Sequence, residues 1–250
     1  MNLLSSIHLE LYINNSFSYS FALNLFSLSI HYSSVLNKMS LLKFQHPCTC
    51  LVSGPTGCGK TQFVANLLKN NMFEPMPERI IWCYGEDQPL YHEMQKLIPR
   101  IEFKKDTPTD LYDSINPAET NLVILDDQMS KVGNSKDLSR LFTEGSHHRN
   151  LSVIYIVQNL FDQGASHRTV SRNSHYIVLF KNPRDMTQIS CFGRQMYPRN
   201  KSNFLPEAYA HATRKPYRYL AIDLKPDTPE EFRIRSKIFP NEVSHCYVPA

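Results

Sequence analysis

Residues 48–61 read Cys-Thr-Cys-Leu-Val-Ser-Gly-Pro-Thr-Gly-Cys-Gly-Lys-Thr. Cys48–Ser53 is a short apolar run, the pattern of a strand buried on both faces. Gly54-Pro55-Thr56-Gly57-Cys58-Gly59-Lys60-Thr61 then fits the phosphate-loop spacing G-x-x-x-x-G-K-[ST] without a mismatch. Gln62–Asn70 continues with the periodicity of a helix. The chemistry explains the spacing. A nucleotide phosphate needs backbone N–H groups converging on it, and glycine lets the main chain curl that closely. The helix start points the positive end of its dipole at the anion. Lys60 reaches the β- and γ-phosphates, and the Thr61 hydroxyl is a Mg²⁺ ligand. The whole chain has only eight glycines, and three of them fall in this turn, which sets aside a chance match.

A phosphate loop needs a second Mg²⁺ contact. Asn121-Leu-Val-Ile-Leu-Asp126-Asp127 is an apolar strand that delivers carboxylates at its C-terminal end, where ligands bind in open α/β sheets. Asp126 is the residue to hold Mg²⁺-bound water, as in a Walker B strand. Asp127 is placed to orient or deprotonate an attacking water, a role that suits hydrolysis more than transfer. Glu is the more usual residue there, and Asp is shorter. The next apolar strand, Ser152–Val157, ends in Gln158-Asn159. Hydrolytic P-loop ATPases insert a strand between the loop strand and the acidic strand, with a polar residue at its tip. Gln158 is the candidate for that position, sensing the γ-phosphate or placing the water.

Other short apolar runs fall at Ile80–Tyr84, Tyr176–Phe180 and Tyr219–Leu224, with a shorter one at Ile101–Phe103. Helical patterns fall at Pro89–Ile98, Asp137–Thr143, Asp185–Phe192 and Leu205–Thr213, and Asp110–Ile115 reads as a helical turn or two. In Pro89–Ile98 the apolar face is read as Leu90, Met94 and Leu97–Ile98. This alternation predicts an α/β fold: a RecA-like (ASCE) P-loop NTPase, with a mostly parallel sheet and helices on both faces. The ATPase domain is expected over 41–225, with a tail over 226–250 that wraps the surface. Residues 1–40 are set apart as an extension. Up to residue 37 they carry one charge, Glu10, and no apolar run of about 18 residues, so no spanning helix is expected. That stretch reads as a poorly ordered extension, a partner-binding segment, or sequence upstream of a start at Met39.

With 42% apolar and 20% charged residues the chain is globular. Its six cysteines contain no C-x-x-C pair, which argues against a zinc ribbon and fits a reducing compartment. The net charge of +4 is too small to imply nucleic acid. Its distribution says more. Residues 62–130 hold six basic and twelve acidic side chains, whereas 131–201 hold eleven basic and four acidic. The basic half is a solvated face, a DNA-facing loop set, or a source of arginines for a neighbouring subunit's γ-phosphate. Arg149 and Arg184 are the candidates for that trans role. His147-His148 lacks a further metal ligand at suitable spacing.

Five stretches together carry a resemblance: SGPTGCGKT (53–61), LVILDDQM (122–129), LFTEGSHHRNLSVIYIVQNLF (141–161), YIVLFKNPRD (176–185) and YLAIDLKPDTPEEFRIRSKIFP (219–240). Over roughly residues 44–240 the chain resembles the packaging ATPases of Maverick/Polinton elements, virus-like DNA transposons of animal genomes. That family belongs to the FtsK/HerA-type superfamily, alongside poxvirus-type packaging ATPases. The two nucleotide motifs are generic; the GSHHRN-strand-QN block and the late DL…TP…R…IFP pattern are specific. The resemblance implies a ring, usually a hexamer, that drives double-stranded DNA into a capsid with ATP. By position it makes Lys60 and Thr61 the phosphate and Mg²⁺ residues, Asp126 the metal carboxylate, Asp127 the base, Gln158 the sensor and Arg149 the trans finger.

Two other readings compete. A P-loop kinase would need an Arg-rich lid, and Asp127 argues against it. A domesticated ATP-binding protein would bind without DNA-stimulated turnover. A GTPase is disfavoured, because no NKxD and no DxxG after the acidic strand are found.

Overall fold

The computed structural model describes residues 9–13, 17–21, 43–126, 136–145, 149–160 and 165–249. Its strands in chain order are β1 (Leu9–Ile13), β2 (Phe17–Phe21), β3 (Phe44–Gln45), β4 (Thr49–Ser53), β5 (Phe73–Glu74), β6 (Arg79–Tyr84), β7 (Ile101–Lys105), β8 (Asn121–Asp126), β9 (Leu151–Val157), β10 (Tyr176–Phe180), β11 (Tyr219–Asp223), β12 (Ile234–Ser236) and β13 (Ser244–Val248). The helices are α1 (Lys60–Lys69), α2 (Pro89–Leu97), α3 (Lys136–Arg140), α4 (Ala165–Arg172), α5 (Met186–Met196), α6 (Phe204–Ala212) and α7 (Glu230–Arg233), and α3 runs on into a π turn, Leu141–Gly145.

Eleven strands form one sheet in the order β2-β1-β13-β12-β11-β10-β4-β9-β8-β6-β7. The six from β10 to β7 are mutually parallel. From β10 outward β11, β12 and β13 alternate antiparallel. Residues 9–13 and 17–21 of the N-terminal stretch lie at that far edge, β1 parallel to β13 and β2 antiparallel to β1.

Strand side chains alternate between the two faces, which makes two cores. On one face Cys50, Val52, Ile80, Trp82, Ile124 and Ile156 pack under α1 and α2. On the other, Leu51, Ile81, Val123, Tyr155 and Ile177 pack against side chains of α3, α5 and α6. Helix α1 buries Phe63, Val64, Leu67 and Leu68, each contributing about 1.5–3 kcal/mol. These are the doubly covered parallel strands that continuous apolar runs predict.

Two expectations change. Helix α2 buries Tyr91 with Met94, and Leu90 and Ile98 pack half-buried against the same core as expected, but Leu97 turns outward and is 58% exposed. Residues 110–115 hold a single helical turn, Ser114 N–H to Asp110 O, preceded by a tighter one, Leu111 N–H to Pro108 O, as the sequence suggests. The chain beyond Lys225 does not simply wrap the surface; it returns to the sheet as α7, β12 and β13. A buried ion pair closes this return. Arg235 on β12 meets Asp223 on β11 at 3.1 Å, both side chains almost fully buried. Arg233 donates to the carbonyls of Asp223, Lys225 and Thr228, and Ile238 N–H donates to the Tyr219 hydroxyl. The late motif singled out in the sequence is thus a packing lock. Among the described residues no helix is long and apolar enough to cross a membrane.

Candidate nucleotide site

Strand β4 has a parallel neighbour on each side and is buried along its length, so its C-terminal end is a fixed platform. The loop leaves from there, with Gly54 N–H donating to Val157 O of β9 at 3.3 Å and Cys58 N–H to Pro55 O at 3.3 Å. Gly57 (φ 77°) and Gly59 (φ 100°) occupy the left-handed region that side chains avoid. Gly54 is required for a different reason: a Cβ there would lie 2.6 Å from Phe180 Cβ and 2.8 Å from Cys58 Sγ. Helix α1 starts with no side-chain cap and no acidic residue in its first turn. Its leading N–H groups therefore face the loop, as an anion site requires.

The Lys60 ammonium donates to the carbonyls of Gly54 (2.6 Å) and Pro55 (3.0 Å), which holds it over the loop. Cys58 lies half-buried beneath, and burial pushes its thiol pKa up. Asp126 ends β8 beside the loop and is 3% exposed. Tyr91 of α2 donates its hydroxyl to Asp126 Oδ2 at 3.1 Å. Burial raises the Asp126 pKa; the Tyr91 and Thr61 hydroxyls, the Trp82 indole and the Lys60 charge oppose that rise. The Trp82 N–H nevertheless closes no hydrogen bond within normal distance.

Strand β9 lies between β4 and β8, the inserted position expected for it, and Gln158 stands exposed at its tip. The structure thus gathers Thr56, Gly57, Gly59, Lys60, Thr61, Asp126 and Gln158 around one cavity of about 410 Å³. Gln62, Gln88, Leu90, Ile156 and Val157 complete the wall. For a divalent cation the donors among the described residues are the Asp126 carboxylate and the Thr61 hydroxyl beside it. Both are hard oxygens, and a pair this small suits Mg²⁺, which keeps several waters.

Arg149 does not join this group. It precedes β9 at the opposite end of the sheet, about 20 Å away along seven residues at ~3.3 Å each. Its guanidinium donates to Ile115 O (3.3 Å), lies 3.8 Å from Asp113 and covers the Tyr112 ring. Arg184 is exposed on the same rim as the loop, following β10. Asp127, His147 and His148 lie outside the described residues. Tyr91 and Trp82 were not legible as site residues. Nothing local marks a helix tyrosine or a strand tryptophan as facing a carboxylate far along the chain.

A phosphate loop on a central parallel strand, with one strand inserted before the acidic strand, defines a RecA-like P-loop NTPase fold. No family model matches the chain. Over 44 residues, 17% of this chain, it is 43% identical to packaging protein 1 of human adenovirus C serotype 5. The chain spans about a tenth of the length of that relative. Among solved structures it is similar to B204, the DNA-packaging ATPase of Sulfolobus turreted icosahedral virus (13% identity, TM-score 0.48, 71% of this chain and 92% of that one). It is also similar to a KaiC-like protein of Pyrococcus horikoshii OT3 (13% identity, TM-score 0.41, 81% and 91%). A third likeness is to the N-terminal domain of zonular occludens toxin from Neisseria meningitidis (16% identity, TM-score 0.36, 56% and 79%). The strand order and the loop, not these scores, define the fold.

Proposed function

We propose that this chain hydrolyses ATP to drive double-stranded DNA, as the genome-packaging motor of a Maverick/Polinton-type virus-like transposon. The observation that carries the hydrolytic part is the convergence of Lys60, Thr61, Asp126 and Gln158 on one cavity beside the inserted strand. The DNA and capsid part is supported by the five sequence stretches at 53–61, 122–129, 141–161, 176–185 and 219–240.

In this reading the loop N–H groups and the start of α1 hold the phosphates, and Lys60 exchanges its loop carbonyls for the β- and γ-phosphate oxygens. Thr61 and Asp126 would hold Mg²⁺, which would supply charge neutralisation at the phosphates. Asp127 takes a proton from the attacking water as its oxygen bonds to the γ-phosphorus. The bond to the β–γ bridging oxygen breaks and ADP leaves. Gln158 positions that water or reports the γ-phosphate. Arg149 lies too far from its own loop to act there. Its place is at the next subunit's γ-phosphate in a ring, a hexamer by resemblance.

The test is the ATP hydrolysis rate of the full chain at low salt, with and without double-stranded DNA. The motor requires stimulation by DNA. Slow turnover indifferent to DNA would instead favour a kinase lacking its acceptor or a retired ATP-binding protein. Asp127→Asn should retain ATP binding and stop hydrolysis; sustained turnover in that variant removes the base assignment.

A further inference from the structure

Tyr217 is 72% exposed, the most exposed of the large apolar side chains among the described residues. It sits in the turn between α6 and β11, at φ 59°, a left-handed conformation that is unusual for a bulky residue. Its neighbours fix it there. Pro216 precedes it, the Arg218 guanidinium is paired with Glu242, and the buried Tyr219 accepts a hydrogen bond from Ile238 N–H. The ring is delivered to the phosphate loop: Tyr217 Cδ1 is 3.5 Å from where a Cβ on Gly59 would be. A solvent-facing ring held in costly backbone beside a binding loop is an observation from which a functional role follows.

The site's own polarity says what the ring faces. Asp126 and Gln158, the groups at the γ-phosphate, come from β8 and β9, to one side of β4. Tyr217 enters β11, which lies beyond β10 on the other side of β4. A triphosphate laid along the loop with its γ end toward Asp126 sends its nucleoside toward β10 and β11. Resting on the nucleotide reading above, we infer that Tyr217 is the stacking platform for the nucleotide base. A single aromatic face stacks on any base and more strongly on a purine. The site therefore prefers ATP and GTP to CTP and UTP.

The experiment compares the full-length wild type with Tyr217→Ala and Tyr217→Phe, titrating a non-hydrolysable ATP analogue and, separately, inorganic tripolyphosphate. Tyr217→Ala should weaken the analogue by about tenfold to a hundredfold, the scale of one lost base–aromatic contact. Its tripolyphosphate affinity should stay at the wild-type value, and Tyr217→Phe should bind both as the wild type does. Unchanged binding of the analogue by Tyr217→Ala overturns the inference and leaves the nucleotide reading intact. Equal losses for analogue and tripolyphosphate overturn it too, since the ring would then only prop the loop. A wild type that binds neither probe removes the nucleotide reading itself.

Discussion

Asp126 illustrates how the site opposes its own stability. Burial raises its pKa above the ordinary carboxylate value of 3.8, and its hydrogen bonds and Lys60 offset only part of the rise. The folded chain thus holds the Asp126 proton more tightly than the unfolded chain does. The resulting stability is present at low pH and falls as pH rises from near 3.8 through the raised folded value. Asp126→Asn removes the charge but keeps an acceptor for Tyr91. It should melt higher than wild type at pH 7, by about 2–4 °C for each kcal/mol regained, and lose that advantage near the acid end of the window. ATP hydrolysis should be abolished. Differential scanning fluorimetry across pH checks the first part, and a lower melting point at pH 7 contradicts it. Gly59→Ala tests the loop from the backbone side. It forces a side chain into φ 100°, where L-residues pay about 1–2 kcal/mol. Nucleotide affinity should collapse while the fold, read by circular dichroism, persists. That Lys60, Thr61 and Asp126 meet at one cavity was legible because motif spacing on flanking strands fixes where they fall. The positions of Tyr91 and Tyr217 were not, because each lies beside a strand end or loop that only the fold brings near.

At the scale of elements, runs buried on both faces announced themselves. β4, β6, β8, β9, β10 and β11 are all apolar strings, and each lies within a residue or two of its sequence-derived position. β12 and β13 were missed for a physical reason. They read Ile-Arg-Ser and Ser-His-Cys-Tyr-Val, and Arg235, Ser236, Ser244 and His245 are buried there as polar groups. Pairing rather than apolarity makes that burial tolerable, and pairing between residues nine or more positions apart has no local signature. The Asp223–Arg235 pair should therefore be costly to break from one side. Asp223→Ala leaves an uncompensated buried guanidinium, with an expected loss of about 3–5 kcal/mol in urea unfolding. Replacing both partners by apolar residues of similar volume should recover most of it. If the single and double variants unfold at the same urea concentration, the pair is not the lock.

At the scale of the molecule, strand β9 carries Arg149 at one end and Gln158 at the other, so the two belong to opposite rims of one sheet. Arg149 is held by a partly exposed ion pair, a carbonyl and the Tyr112 ring, contacts weak enough to exchange for a phosphate. A trans role makes a specific demand on mixtures. Arg149→Ala and Lys60→Ala should each be inactive alone, and mixing them should restore part of the turnover, because one supplies the loop and the other the arginine. A mixture as inactive as its components would sink the trans assignment. DNA stimulation should also fade steeply between about 50 and 200 mM salt, as contacts to several phosphates require. The late motif has a further consequence. Asp223, Arg233 and Arg235 tie the return of the chain to β11 and take no part in lining the nucleotide cavity, so selection acts on the two sets separately. In a lineage that keeps the protein but abandons its turnover, Lys60, Asp126 and Gln158 should drift while Asp223, Arg233 and Arg235 stay fixed. A gene copy's history can then be read from which set it has lost.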